Sequence, residues 1–270
     1  MKKRRNLIGL ASGALVGSPA EVTINAAARA GFDRVGLWVV AADWSSARLV
    51  AARRLMAECE IAPIDIEVLR LQGGTPSEEA RRMVEIAAEL GAPNLLVIGA
   101  EPNVAAFTDC YAALCEVGVA HGVRIALEFM LFSSVQTLAA ARAIVSAANS
   151  PAAALLIDPL HLDRAGSTPA EVAALPSAWL PYAQFCDAPI AHIAPNDHSA
   201  LLEEARDDRL MPGEGVLPLT ALLRALPPGT PISVELRSRQ LREKYPDPIN
   251  RAIAVRAATD HFLTMTALAA

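Results

Sequence analysis

The sequence predicts an α/β fold, a single (β/α)8 barrel over residues 1–270, on three observations. Short runs rich in Ile, Val and Leu alternate along the chain with longer Ala-rich segments of helical period. Strict alternation of strand and helix demands parallel strands covered on both faces. Eight such units fit the 270 residues, and a closed barrel of this kind takes about 250. The rival, a doubly wound dinucleotide-binding sheet, is weakened because no Gly-x-Gly-x-x-Gly follows the first strand: Gly9 and Gly13 have the wrong spacing.

The first strand covers residues 6–12. Lys2, Lys3, Arg4 and Arg5 before the apolar run 7–16 also resemble a secretion signal. Gly9, Ser12 and Gly13 dilute that run, Gly-Ser-Pro-Ala is a poor cleavage site, and counting a strand here completes eight. The other strands are expected at 34–39, 64–71, 94–99, 124–130, 154–158, 182–187 and 232–237. Helices are expected near 19–30, 45–59, 76–90, 103–121, 135–148, 169–175, 217–226 and 248–268. Ser18 is expected to cap the first helix, with Pro19 at its first position. Thr75-Pro76-Ser77-Glu78-Glu79 and Ser167-Thr168-Pro169-Ala170-Glu171 join a capping hydroxyl, Pro and an early Glu. Gly31, Gly91 and Gly122 fall where helices should stop.

Composition narrows the function classes. At 53% hydrophobic residues the chain is not disordered. A net charge of −5 argues against binding to nucleic acid, whose phosphates are met by Lys and Arg. No run approaches the ~18 apolar residues of a membrane span. Cys59, Cys110, Cys115 and Cys186 form neither a disulfide framework nor a zinc spacing, and read as reduced thiols of a cytoplasmic protein.

In a (β/α)8 barrel, chemistry sits at the C-terminal ends of the strands. Period-two alternation puts Ala126 with Glu128, Leu156 with Asp158, Tyr182 with Gln184, and Ser233 with Glu235 on common faces. If those faces point inward, three carboxylates and an amide meet at one mouth. Such anions repel and raise one another's pKa unless a divalent cation sits among them. An all-oxygen donor set prefers Mn²⁺ or Mg²⁺, with Zn²⁺ or Co²⁺ as alternatives. Taken singly, each residue also reads as a surface carboxylate or helix cap, and Asp158 before Pro159 as a turn residue.

These strand ends resemble the xylose isomerase-like TIM barrel superfamily, the sugar phosphate isomerases and epimerases. The resemblance rests on Ala126-Leu127-Glu128, Asp158-Pro159-Leu160-His161, Gln184-Phe185-Cys186-Asp187-Ala188-Pro189, Met211-Pro212-Gly213-Glu214-Gly215 and Ser233-Val234-Glu235. It implies metal ligands at Glu128, Asp158, Gln184 and Glu235, and a substrate contact at His161. Where the family's ketose epimerases carry His on strand seven, this chain has Gln184, which is reminiscent of the 3-dehydroshikimate dehydratase branch. The superfamily's apurinic-site endonucleases bind several zinc ions through many histidines; with five histidines, and His161 alone at the mouth, DNA repair is not expected. A homodimer or homotetramer is compatible with the resemblance.

Three functions follow as expectations. The first is isomerisation or epimerisation of a keto sugar or polyol through an enediolate, with Glu128 and Glu235 exchanging the proton and His161 and Arg237 orienting oxygens. The second is a dehydratase acting on a hydroxylated keto acid, for which Arg70, Arg164 and Arg237 supply cations. The third is a barrel that binds a ligand without catalysis. Glu67 and Asp187 join the substrate-binding candidates. Trp38 is expected to pack rather than line the pocket, residues 187–217 to form a lid or wall, residues 203–209 a solvated turn, and 239–247 a loop or an anion cover.

Overall fold

The computed structural model describes residues 6–190 and 193–268, so residues 2–5 of the signal-like segment, and His192, lie outside the described residues. Eight parallel strands follow in chain order: β1 Ile8–Leu10, β2 Arg34–Trp38, β3 Ala62–Leu71, β4 Asn94–Gly99, β5 Arg124–Glu128, β6 Ala153–Leu156, β7 Ala183–Phe185 and β8 Ile232–Val234. Their order around the sheet is β6-β5-β4-β3-β2-β1-β8-β7. A bridge between Ile157 and Ala183 nearly closes the ring, where the Gln184 N–H donates to the Ile157 carbonyl at 2.9 Å. The (β/α)8 TIM barrel expected from the alternation is therefore the observed architecture.

The outer layer contains α1 Ala20–Arg29, α2 Ser46–Glu58, α3 Glu78–Leu90, α4 Val104–His121, α5 Leu138–Ala148, α6 Pro159–Arg164, α7 Pro169–Ala173, α8 His198–Asp207, α9 Leu219–Ala225, α10 Arg239–Lys244 and α11 Pro248–Leu268. Local signals set several starts. Ser45, Ser77, Asn103 and Thr137 each accept the N–H three residues on, which satisfies a donor that the helix leaves free. The α3 cap is Ser77 rather than Thr75. At α1 the expectation fails: Pro19 takes the cap position with no side-chain bond, because its carbonyl accepts from Val22 and Thr23 while Ser18 closes a turn onto Leu15. Gly91 and Gly122 end α3 and α4 in the left-handed conformation.

Two apolar clusters hold the layers together. The larger lies between strands and helices, and the smaller, with Ile64, Leu96, Ala126, Leu156 and Tyr182, fills the barrel's inside. Fully buried Tyr111 ties α4 to two strands: its hydroxyl donates to the Ile125 carbonyl at 2.7 Å and accepts from the Ala154 N–H at 3.1 Å. The cysteines are free, three of them buried. Among the described residues no helix is long and apolar enough to cross a membrane.

Three helices depart from the expected pattern. α6 begins directly after the Asp158 strand end, α10 replaces a loop, and α8 lies within the 187–217 segment. α6 and α10 have six residues each, too short to show a helical period.

Candidate active site and metal centre

Glu128 is the last residue of β5, and Glu235 directly follows β8. Asp158 follows β6 and caps α6, its Oδ1 accepting from the Leu160 N–H at 2.7 Å and the His161 N–H at 3.3 Å. The turn reading and the site reading of Asp158 thus hold together, because Oδ2 remains directed into the barrel mouth. Glu128, Asp158, Gln184 and Glu235 are all buried, and Glu67 on β3 joins them beneath the same mouth. One end of the Gln184 amide stands 3.0 Å from Glu128 Oε1 and 3.3 Å from Glu235 Oε2. As nitrogen, that end donates to both carboxylates; as oxygen, it completes a set of acceptors that needs a cation between them.

The residue that organises this cluster is Arg209, expected from the sequence in a solvated turn. Its guanidinium is buried, with Nη1 2.6 Å from Asp158 Oδ2 and 3.2 Å from Cys186 Sγ. Nη2 lies 3.1 Å from Glu235 Oε2 and 3.5 Å from His161 Nε2, while Nε donates to the Ala205 carbonyl at 2.9 Å. The turn reading fails for Glu204 and Arg209: Leu201, Glu204 and Ala205 form the buried face of α8, and Arg209, beyond its end, is buried in a segment whose N–H donates to the Arg237 carbonyl at 3.2 Å. The apolar pair Leu201 and Ala205, four residues apart, was the available signal for a buried face; the surrounding Asp and Arg residues concealed it.

Burial governs the titration of the cluster. It pushes Glu128 well above the usual carboxylate range, reinforced by the charges of Glu235 and Asp158. It likewise raises Glu67, with Asp65 and Glu235 adding to the effect, and Glu235 despite the opposing Arg209 charge. Asp65, one step deeper on β3, is pushed up by burial to about 7. Asp158 goes the other way: burial raises it, but Arg209, His161 and their hydrogen bonds together hold it below its ordinary value. Burial brings His161 down to about 4, so its imidazole is neutral at pH 7, its ring edge-on to Phe132 at 5.5 Å. The acids thus shift in opposite directions, Glu67, Glu128 and Glu235 upward and Asp158 downward.

A divalent ion fits the donor chemistry. One ligand atom each from Glu128, Asp158 and His161 lie within 4.8 Å of one another. The imidazole adds a nitrogen donor to a set expected to hold oxygens alone. Gln184 and Glu235 complete the cluster, the Gln184 amide lying 3.0 Å from Glu128 Oε1 and 3.3 Å from Glu235 Oε2. Arg209 occupies one oxygen of Asp158 and one of Glu235, so a cation shares or displaces that pairing.

The remaining expected residues divide. Glu67, Arg70, His161 and Arg237 line a cavity of about 130 Å³ together with Glu128, Arg209 and Glu235. Trp38 lines it too, 48% exposed rather than packed in the barrel. Arg164 is turned away: it pairs with buried Glu204 at 2.6 Å and with Asp163, and donates to the Pro189 carbonyl at 3.2 Å. Asp187 is committed to the chain, accepting from Ala188 at 2.9 Å and from Gly213 and Leu217 at 3.0 Å. Gly215 lets that loop close, since a Cβ there would stand 2.2 Å from the Ala188 carbonyl oxygen. The 187–217 segment is indeed a wall, with Leu202, Ala205, Arg206 and Arg209 facing the cavity.

Several solved structures share this fold. A xylose isomerase-like TIM barrel/4-hydroxyphenylpyruvate dioxygenase fusion protein aligns at a TM-score of 0.80 and 22% identity over 94% of this chain. The chain spans 42% of that protein's length. The IOLI protein, solved with a bound zinc atom, aligns at 0.73 and 17% identity, covering 96% of this chain and 97% of its own. D-allulose 3-epimerase from Methylomonas sp. in complex with D-allulose aligns at 0.70 and 17% identity, covering 96% and 97%. No curated protein matches. At these identities the likeness establishes the fold, whereas a family model for xylose isomerase-like TIM barrels matches residues 24–259. The chain belongs to the xylose isomerase-like TIM barrel family.

Proposed function

We propose that this protein is a divalent-metal-dependent isomerase or epimerase acting on a keto sugar or polyol-like substrate. The observation that carries the reading is the convergence of Glu128 and Glu235 from opposite sides onto one end of Gln184, at 3.0 and 3.3 Å, beside Asp158. Glu128, Asp158, Gln184 and Glu235 would hold the ion, with His161 as a further donor; Mn²⁺ or Mg²⁺ suits the oxygens, and the imidazole keeps Zn²⁺ or Co²⁺ as alternatives. When bound, the ion would polarise a carbonyl and its neighbouring hydroxyl, acidifying the C–H between them. Glu235 removes that proton on one face, and Glu128 returns a proton on the other. Neutral His161 and cationic Arg209 then meet substrate oxygens, the first by hydrogen bonding and the second by charge. In ²H₂O with Mn²⁺, the wild type should incorporate deuterium into a ketose substrate, and Glu235→Gln should abolish it; undiminished exchange removes Glu235 from the mechanism.

Arg237 favours a second reading. Its Nε is buried without a hydrogen-bond partner beside the same cavity, which suits an acidic substrate and a dehydratase of the 3-dehydroshikimate dehydratase type. Incubation with 3-dehydroshikimate separates the two, since elimination creates an aromatic ultraviolet chromophore and epimerisation does not.

A further inference from the structure

We propose that the barrel mouth carries a second subsite, on its β1–β2–β8 side, that seats a carboxylate borne on an apolar or aromatic body next to the Glu128–Glu235 cluster. This goes beyond the proposed function by adding a ligand class to the mouth, and rests on it for turnover alone. A cavity of about 390 Å³ opens between the turn Ser12–Leu15 and the segment after β2, sharing Trp38 and Arg237 with the catalytic cavity. Its rim is apolar and open: Val16, Trp38 and Val40 are 43%, 48% and 45% exposed. Its inner end holds two donors without partners, Ser12 Oγ and Arg237 Nε. Ser12 is 7% exposed, and its N–H is already engaged by Glu67 Oε1 at 3.0 Å. Arg48 belongs to the wall, stacked 4.7 Å over Trp44 and donating to the Asp43 carbonyl.

Gly13 joins this pocket to the chemistry. A Cβ there would stand 2.7 Å from Glu235 Oε1 and 3.1 Å from Arg237 Cγ, so the bare backbone lies against both side chains. A ligand anchored on Arg237 therefore extends within one residue's thickness of Glu235. The free donors select the anion. Nε and its neighbouring Nη form a fork that matches the two oxygens of a carboxylate, and a hydroxyl adds a third bond. A phosphate calls for a richer array, such as several backbone N–H groups at a helix N-terminus. The indole of Trp38 and the two valines offer a flat apolar surface to the rest of the molecule.

The test uses the 270-residue chain stripped with EDTA, titrated with benzoate, benzyl alcohol and inorganic phosphate by calorimetry and Trp fluorescence. Benzoate should bind and perturb the fluorescence, with benzyl alcohol at least about tenfold weaker, as expected for loss of a charge-assisted pair, and phosphate weaker because it brings no apolar body to Trp38. Arg237→Gln should weaken benzoate about tenfold or more. Val16→Trp, at an exposed position, should block it while leaving the melting curve unchanged. Phosphate binding as tight as benzoate, or benzoate binding indifferent to both variants, overturns the subsite. A protein that binds benzoate yet shows no Mn²⁺-dependent exchange retains the subsite and loses the isomerase reading; the reverse pattern does the opposite.

Discussion

Arg209 decides the electrostatics of the mouth. Two carboxylates, Asp158 and Glu235, share its guanidinium at 2.6 and 3.1 Å with almost no solvent contact. Buried charges of one sign are costly without a partner, and removing one member of such a pair costs about 3–5 kcal/mol. Arg209→Met should therefore lower the metal-free melting temperature substantially. If the proposed cation site is real, Mn²⁺ or Zn²⁺ should restore more stability to Arg209→Met than to the wild type, because the ion takes over the neutralisation that the guanidinium supplied. Differential scanning calorimetry with and without metal reads both effects; an unchanged melt, or equal metal responses, contradicts the assignment. At this scale the sequence was legible where strand alternation dictates direction, as for Glu128, Asp158, Gln184 and Glu235. It misled where a side chain's partner is distant in sequence: Asp187 serves the backbone 26 to 30 residues on, and Arg164 reaches Glu204, 40 residues away.

Among the elements, α8 shows how a wall is fastened. Its inner face buries Leu201, Glu204 and Ala205, and both flanks are held by ion pairs. Glu204 meets Arg164 on one side; on the other, Arg242 pairs with Asp207, and Arg239 reaches Glu203 and Asp207 at 3.4 and 3.5 Å. The outer pairs are exposed or half-buried and worth little, whereas Arg164–Glu204 is buried, so breaking it leaves a charge stranded. Glu204→Ala should loosen α8 selectively, seen as faster amide exchange over residues 198–207 with β4 and β5 unchanged. Uniform protection in that variant would show that the pair does not fasten the wall. Strands and long helices were legible because caps and apolar periods are local. α6, α8 and α10 were not, because their positions follow from what the barrel mouth packs against them.

Over the whole molecule, the seam between β6 and β7 is the thinnest part of the ring. β5 and β6 pair over four registered positions, while β6 meets β7 through the Ile157–Ala183 bridge and the Gln184-to-Ile157 hydrogen bond. The proposed ion would draw on Glu128 and Asp158 from one side of this seam and on Gln184 and Glu235 from the other. Binding confined to the folded state stabilises by mass action, about 2.7 kcal/mol at a hundredfold excess over Kd. A cation placed there would add that energy as a clasp across the seam. Saturating Mn²⁺ should therefore raise the unfolding midpoint and slow amide exchange at Gln184 more than at the β3–β4 pairing on the other side of the barrel. If the midpoint rises with exchange slowed equally around the ring, the ion binds elsewhere. If neither changes, the four strand ends hold no divalent metal, and Arg209 completes the site by itself.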